Sequence, residues 1–229
     1  MNKVLKKALI ASVVLLMSHQ SMAAFTLNGT RFIYEEGKKN ISFEVSNEAK
    51  ETYGGQVWVD NTTQNRDDVY IVPTPPFFKV KPGQKQIVRL MNVNPLPADR
   101  ESLFWLNVQE VPPKPENTEG SVLAIAMNTQ VKLLYRPKAI IDGRREAEKK
   151  ITISTVNNKT VLKNPTPYYF AVTGIRHNGT PVMLSKSELN ALAQLAPYSE
   201  VSLGSKSLRG KVAVEAINDW GGEQWYEIK

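Results

Sequence analysis

Residues 41–45, Ile41-Ser42-Phe43-Glu44-Val45, alternate strictly between apolar and polar side chains. Successive side chains of a β-strand point to opposite faces of a sheet, so this period of two predicts a strand with one buried face and one solvated face. Similar short runs, separated by Gly, Pro, Asn and Asp clusters, lie around it at residues 56–59, 69–72, 86–90, 103–111 and 122–134. Their spacing predicts an all-β fold, an immunoglobulin-like β-sandwich.

A second set of such runs follows at residues 151–156, 168–175, 201–203 and 212–217. Asn178-Gly179 supplies the positive φ angles of a tight hairpin turn. Residues 136–148, with a proline, a glycine and a charge cluster, are interpreted as a linker, and residues 185–195 could form one or two helical turns. Sandwiches of about 100 residues each account for the length, so we predict domains at 24–141 and 142–229.

The first 23 residues, MNKVLKKALIASVVLLMSHQSMA, have the organisation of a secretory signal. Lys3, Lys6 and Lys7 precede an apolar run, and the small residues Ser21 and Ala23 have the spacing that a signal peptidase requires. The alternative is a membrane anchor, but the run covers about half of the ~20 residues needed to cross a bilayer. We predict a signal peptide at 1–23, cleavage after Ala23 and no permanent anchor.

The reactive side chains exclude most catalytic and metal chemistry. The chain has no Cys and two His, and cleavage after Ala23 would leave His177 alone. Removal of the signal lowers the formal net charge from +7 to +4, too little to indicate nucleic acid. We predict no enzyme activity, no cofactor and no metal.

Four stretches are unlike generic sandwich sequence: residues 74–78 (TPPFF), 99–108 (DRESLFWLNV), 132–137 (KLLYRP) and 164–169 (NPTPYY). Together with Thr30-Arg31 and Asn218-Asp219-Trp220-Gly221 they resemble the signatures of the periplasmic pilus-assembly chaperones, which serve P pili and type 1 pili, in the order of that family. The resemblance covers the mature chain and implies two immunoglobulin-like domains in an L-shaped or boomerang molecule with an interdomain cleft. An additional Pro73 departs from the family wording, and one X-Pro bond at 73–76 is a candidate for the cis form.

The resemblance implies that the strand around Leu123, Ile125 and Met127 is a donor strand. In the family this apolar row is lent to a pilus subunit that lacks its own last strand, which completes the subunit's fold. From the residues alone, the same alternation favours side chains that face the sandwich core, because alternating apolar residues are typical of any strand.

The resemblance also implies a polar anchor and an ion-pair network. In the family, the residues that match Arg31 and Lys132 bind the C-terminal carboxylate of the subunit in the cleft, and those that match Glu101, Arg136 and Asp219 form salt bridges between the domains. As isolated residues, Arg31 and Lys132 would instead be interpreted as solvated surface charges, as most Lys and Arg are. For Glu101, Arg136 and Asp219 the alternative is separate surface charges that contribute little to stability.

The function implied is periplasmic binding of pilus subunits, adhesin included, and their delivery to an outer-membrane usher. The alternative is a structural or adhesive two-domain surface protein that remains in a fibre. An uncovered apolar edge strand invites self-association, so a self-capped dimer is expected as one form of the free protein.

Overall fold

A computed structural model describes residues 23–114 and 125–228. The first half of the chain forms two packed sheets, with the strand orders β1-β3-β7-β5 and β2-β9-β8-β4-β6. The strands are β1 (Phe25–Leu27), β2 (Arg31–Glu35), β3 (Ile41–Asn47), β4 (Tyr53–Asn61), β5 (Ile71–Thr74), β6 (Phe77–Val80), β7 (Lys85–Asn92), β8 (Ser102–Val111) and β9 (Asn128–Arg136). Strand β2 runs parallel to β9, whereas the other pairs in these sheets are antiparallel.

The core of this sandwich is built by the period-two pattern. Phe43 and Val45 on β3 are buried, as are Phe104 and Leu106 on β8. Glu44, between the two buried residues of β3, remains partly exposed. Each buried aliphatic or aromatic side chain contributes about 1.5–3 kcal/mol through its removal from water. In a chain with no disulfide, this burial must hold the sandwich together.

The second half forms another sandwich, with the strand orders β10-β11-β14 and β13-β12-β15-β16. Its elements are β10 (Thr152–Val156), β11 (Lys159–Lys163), β12 (Ala171–His177), β13 (Thr180–Pro181), α1 (Lys186–Leu192), β14 (Glu200–Ser202), β15 (Val212–Ile217) and β16 (Glu223–Ile228). Leu162, Val172 and Val214 are fully buried at its centre, and Leu192 of α1 packs against them.

The prediction of an all-β, two-sandwich fold is confirmed, and each predicted run overlaps a strand. Six further strands are short, lie at sheet edges or have irregular patterns, and the period-two pattern does not predict them: β1, β2, β6, β11, β13 and β16. The run predicted at 168–175 becomes regular strand only from Ala171, because the Tyr168 and Tyr169 amides donate to the side chains of Thr166 and Glu101 instead of to a neighbouring strand. The hairpin turn is also confirmed, since Asn178 and Gly179 have φ angles of 48° and 83°.

The strand predicted at 122–134 differs from the structure, in which β9 begins at Asn128. The Glu110 amide donates to the Met127 carbonyl at 2.9 Å, so pairing with β8 continues one residue further. It then stops, because Pro112 and Pro113 follow Val111 and have no N–H to offer.

The segment predicted as a linker, 136–148, is more ordered than expected. It contains the 3₁₀ turn Lys138–Ile140 and leads into a second, Ala147–Lys150, with Glu148 buried. The helix foreseen within 185–195 is α1, which begins with a capping box between Ser185 and Glu188.

Two predictions fall outside the described residues: most of the signal peptide (1–22) and Leu123 of the donor row. Within residues 23–114 and 125–228, no helix has the length and hydropathy of a membrane span.

Candidate functional site

Arg31 and Lys132 are brought together by the parallel pairing of β2 with β9, in which they are register partners. Their neighbours Phe32 and Leu133 pack into the first sandwich. Because side chains alternate along a strand, the two cations leave the opposite face of the sheet.

Both cations reach across to the second sandwich. The Arg31 guanidinium donates through Nη1 to the Ile217 carbonyl at 3.0 Å. The Lys132 ammonium donates to the Ala193 carbonyl, just beyond the end of α1. Arg31 Nε is buried without a hydrogen-bond partner in the described residues. The pair therefore lies at the junction of the two sandwiches with donor capacity unused.

The environment disfavours the charged form of both groups. Burial lowers the pKa of Arg31, although the nearby Asp219 carboxylate opposes this. Burial and the adjacent Arg31 charge lower the pKa of Lys132 to about 8. Two partly desolvated cations side by side make a site that an anion would stabilise.

The cavity at this pair is narrow. It is lined by Arg31, Leu103, Lys132, Leu134, Tyr169, Phe170, Ala171 and Gln194, and it encloses about 10 Å³. That is about the space of one water molecule. A larger anion can enter only if Lys132 exchanges the Ala193 carbonyl for the new acceptor or if the sandwiches separate slightly.

Glu101, Arg136 and Asp219 form a connected set of ion pairs across the same junction. Arg136 donates through Nε to Glu101 Oε1 and through Nη1 to Asp219 Oδ2, both at 2.7 Å. The other Glu101 oxygen accepts from the Tyr169 amide at 2.7 Å. The side chains of Glu101 and Arg136 are 0% and 5% exposed, which makes this a buried network rather than a surface pair.

The pKa values of the two carboxylates move in opposite directions. Burial raises the pKa of Glu101 despite the Arg136 charge. Burial would also raise the pKa of Asp219, but its contacts with Arg136 and Arg144 outweigh that effect and lower it. Of the two carboxylates, Asp219 therefore keeps its charge to a lower pH than Glu101.

Comparison with known proteins agrees with this geometry. Residues 24–141 match the family described as pili and flagellar-assembly chaperone, PapD N-terminal domain, and residues 146–228 match the pili assembly chaperone PapD, C-terminal domain. The chain belongs to the pilus-assembly chaperone family.

Individual relatives cover nearly the whole chain. It is 46% identical to the Escherichia coli chaperone protein FanE over 93% of each protein. Its identity to the E. coli chaperone protein PapD is 34%, over 95% of this chain and 91% of that protein. The crystal structure of the Pseudomonas aeruginosa CupB2 chaperone shares 27% identity and superposes with a TM-score of 0.70, covering 88% of this chain and 98% of that one.

Two of the three residues predicted as a donor row, Ile125 and Met127, lie among the described residues. Ile125 and Met127 are 67% and 48% exposed, so neither packs into the first sandwich. The interpretation that they are core residues is therefore wrong for these two positions, and Leu123 lies outside the described residues. The exposed pair lies immediately before β9, the strand that carries Lys132.

Arg144 was missed by the sequence analysis, which assigned it to a linker. It forms a bidentate pair with Glu148, at 3.0 and 2.7 Å, and lies 3.3 Å from Asp219. Its guanidinium also lies over the rings of Tyr168 and Phe170. The spacing of four residues between Arg144 and Glu148 was the available signal.

Aromatic residues of the family motifs have different surroundings. Phe104 and Tyr168 are buried. Tyr169 lines the cavity beside Arg31 and Lys132. The cis bond is Thr74–Pro75. Among the described residues, no His, Asp and Glu cluster could hold a metal ion.

Proposed function

We propose that this chaperone binds pilus subunits in the periplasm by strand donation, with Arg31 and Lys132 holding the subunit's C-terminal carboxylate. The observation that carries the proposal is the continuity of an exposed apolar segment, at Ile125 and Met127, with the strand that presents Lys132. An extended chain rises about 3.3 Å per residue, so Ile125 and Lys132 are separated by about 23 Å along the chain. In the described residues β2 pairs with β9 only from Lys132 onward, which leaves this side of the preceding residues open to another strand. A subunit anchored at the cations would therefore lie along the apolar row.

The cation pair and the apolar row have separate roles in binding. Charge-assisted hydrogen bonds from two cations fix the position of a carboxylate, and hence the register of the chain that ends in it. Backbone pairing gives affinity, and the alternate side chains of Ile125 and Met127 enter apolar pockets of the subunit. The buried Glu101–Arg136–Asp219 network holds the sandwiches at the angle that keeps the cations facing the cleft.

Location and delivery complete the proposal. The signal-like first 23 residues and the family membership support a periplasmic location, and the subunit is then passed to an outer-membrane usher. The role of the family is the assembly of pili.

Co-expression with a pilus subunit of the same assembly system tests the proposal. We expect a soluble periplasmic complex with one chaperone per subunit, and loss of the subunit from the soluble fraction when the chaperone is omitted. Recovery of the protein in sheared surface fibres, with no soluble complex, would instead support a structural fibre component.

A further inference from the structure

Glu110 occupies a position that should be apolar. It follows Phe104, Leu106 and Val108 on the core face of β8 and is 4% exposed. Its register partner is Gly55, and a Cβ atom at Gly55 would clash with the ring of Phe78 and touch that of Phe25. A carboxylate in such surroundings is costly unless a cation or several donors compensate for the lost water.

The partners of Glu110 in the structure are insufficient for a buried charge. Its Oε1 accepts one hydrogen bond, from the Phe25 amide at 2.8 Å. Within residues 23–114 and 125–228, no Lys or Arg lies within ion-pair distance of Glu110. A carboxylate can accept about four hydrogen bonds, so Glu110 has acceptor capacity left for a cationic partner.

The residue next to this contact is the predicted first residue of the mature chain. Ala24 precedes Phe25, is 6% exposed, and accepts a hydrogen bond from the Glu48 amide at 2.8 Å. Covalent geometry limits consecutive backbone nitrogens to about 4 Å, so Ala24 N lies within about 7 Å of Glu110 Oε1. A small shift of the backbone would bring the two into contact.

We propose that Glu110 is the binding site for the mature amino terminus, with the Ala24 α-ammonium as its ligand. A signal peptidase adds water across the Ala23–Ala24 amide bond, which leaves a carboxylate on Ala23 and a protonated amine on Ala24. Before cleavage the same nitrogen is a neutral amide. Processing therefore creates the cation that the buried carboxylate lacks.

This ion pair would link processing to the subunit-binding edge. Strand β1 pairs only with β3 in the described residues, and its Phe25 is already bound to Glu110. The Glu110 amide in turn holds the Met127 carbonyl, at the base of the exposed row. The ion pair between the Ala24 α-ammonium and Glu110 does not depend on the proposed function, because it forms in the folded chain without a subunit.

A four-chain comparison of thermal stability tests the proposal. One pair of proteins begins at Ala24, with and without Glu110→Gln, and the other pair carries a Gly-Ser-Gly extension that moves the ammonium away. Glutamine keeps the shape and can still accept from Phe25. We expect Glu110→Gln to lower the melting temperature of the mature chain by about 4–8 °C, with a much smaller change in the extended chain. Equal shifts in both backgrounds would overturn the proposal.

Amine labelling gives a second readout that a purely structural role would not produce. A carboxylate partner raises the pKa of an α-amine, and each unit reduces the reactive neutral form about tenfold near pH 7. We expect labelling of Ala24 in the mature chain to be at least about tenfold faster in Glu110→Gln and unchanged in the control Glu48→Gln. An unchanged rate in Glu110→Gln, or acceleration in Glu48→Gln alone, would contradict the assignment.

Discussion

Arg31 and Lys132 are register partners on the parallel strands β2 and β9, so two positive charges leave one sheet side by side. Each is bound to a backbone carbonyl of the second sandwich, at Ile217 and Ala193. Burial and the adjacent Arg31 charge lower the pKa of Lys132 to about 8, and the carbonyl oxygens that face the pair carry only partial charge. An anion that replaced the Ala193 carbonyl would form the stronger, charge-assisted contact.

The first prediction concerns removal of either cation. We expect Arg31→Ala and Lys132→Ala to fold normally and to lose subunit binding, because loss of one partner of a desolvated charge contact costs about 2–5 kcal/mol. That corresponds to a decrease in affinity of roughly 30-fold or more. Titration of the purified chaperone with subunit, and melting curves of each variant, measure the two effects. Lys39→Ala, at an exposed lysine, is the control. Unchanged affinity in both variants would refute the anchor.

The second prediction is that binding weakens at alkaline pH. The pKa of Lys132 is lowered to about 8 in the folded protein, so its ammonium loses its proton as the pH rises through that value. The subunit carboxylate is already ionised there, so affinity should decrease progressively between about pH 7.5 and 10. The sign for stability is opposite: burial of the charged ammonium disfavours folding below about pH 8, and this penalty is relieved as the pH rises toward the unfolded pKa of 10.5.

Lys132→Arg supplies the matched test of that pH dependence. A guanidinium stays protonated throughout this range, so whatever affinity the variant retains should vary much less with pH. A wild-type affinity that stays constant from pH 7 to 10 would be incompatible with a role for the Lys132 ammonium.

The fold could be predicted from sequence where alternation is regular, as at Ile41–Asn47 and Val212–Ile217. It could not be predicted at β1 and β13, which have three and two residues and carry too little pattern. The start of β9 was misplaced because alternation continues before Asn128 while its partner strand stops at a pair of prolines. A strand begins and ends where its partner can pair with it. The pattern of side chains along β9 therefore does not predict where β8 stops pairing.

The candidate site was foreseen through family motifs, which name Arg31 and Lys132 but not their surroundings. That the Ala193 carbonyl binds Lys132 depends on how the second sandwich docks, and no local pattern encodes it. Glu110 shows the complementary case. Its place on the core face follows from alternation along β8, but only the three-dimensional structure shows that no cationic side chain of the described residues forms an ion pair with it.

The third prediction tests the buried network. Arg136→Met removes the cation between Glu101 and Asp219 and leaves the Glu101 carboxylate buried without its charge partner. Loss of one member of a buried pair costs about 3–5 kcal/mol, so the midpoint of urea denaturation should decrease clearly. Arg100→Met removes an exposed pair with Asp99 and should leave the midpoint nearly unchanged. Equal midpoints for the two variants would show that the buried network does not stabilise the fold.

The fourth prediction distinguishes strand donation from core packing at Ile125. Its side chain is 67% exposed, so Ile125→Asp should leave the melting temperature of the free chaperone close to that of the wild type. In the complex the same carboxylate would enter an apolar subunit pocket without a partner, and binding should be lost. Thermal denaturation and subunit titration of one purified variant measure both effects.

Two controls define the limits of that experiment. Val156→Asp changes another exposed apolar residue, 50% exposed on the second sandwich, and should affect neither stability nor binding. Leu106→Asp places a carboxylate in the fully buried core of the first sandwich and should unfold it. If Ile125→Asp behaved like Leu106→Asp, the residue would belong to the chaperone's own core. If it behaved like Val156→Asp, the subunit would have to bind along a different edge.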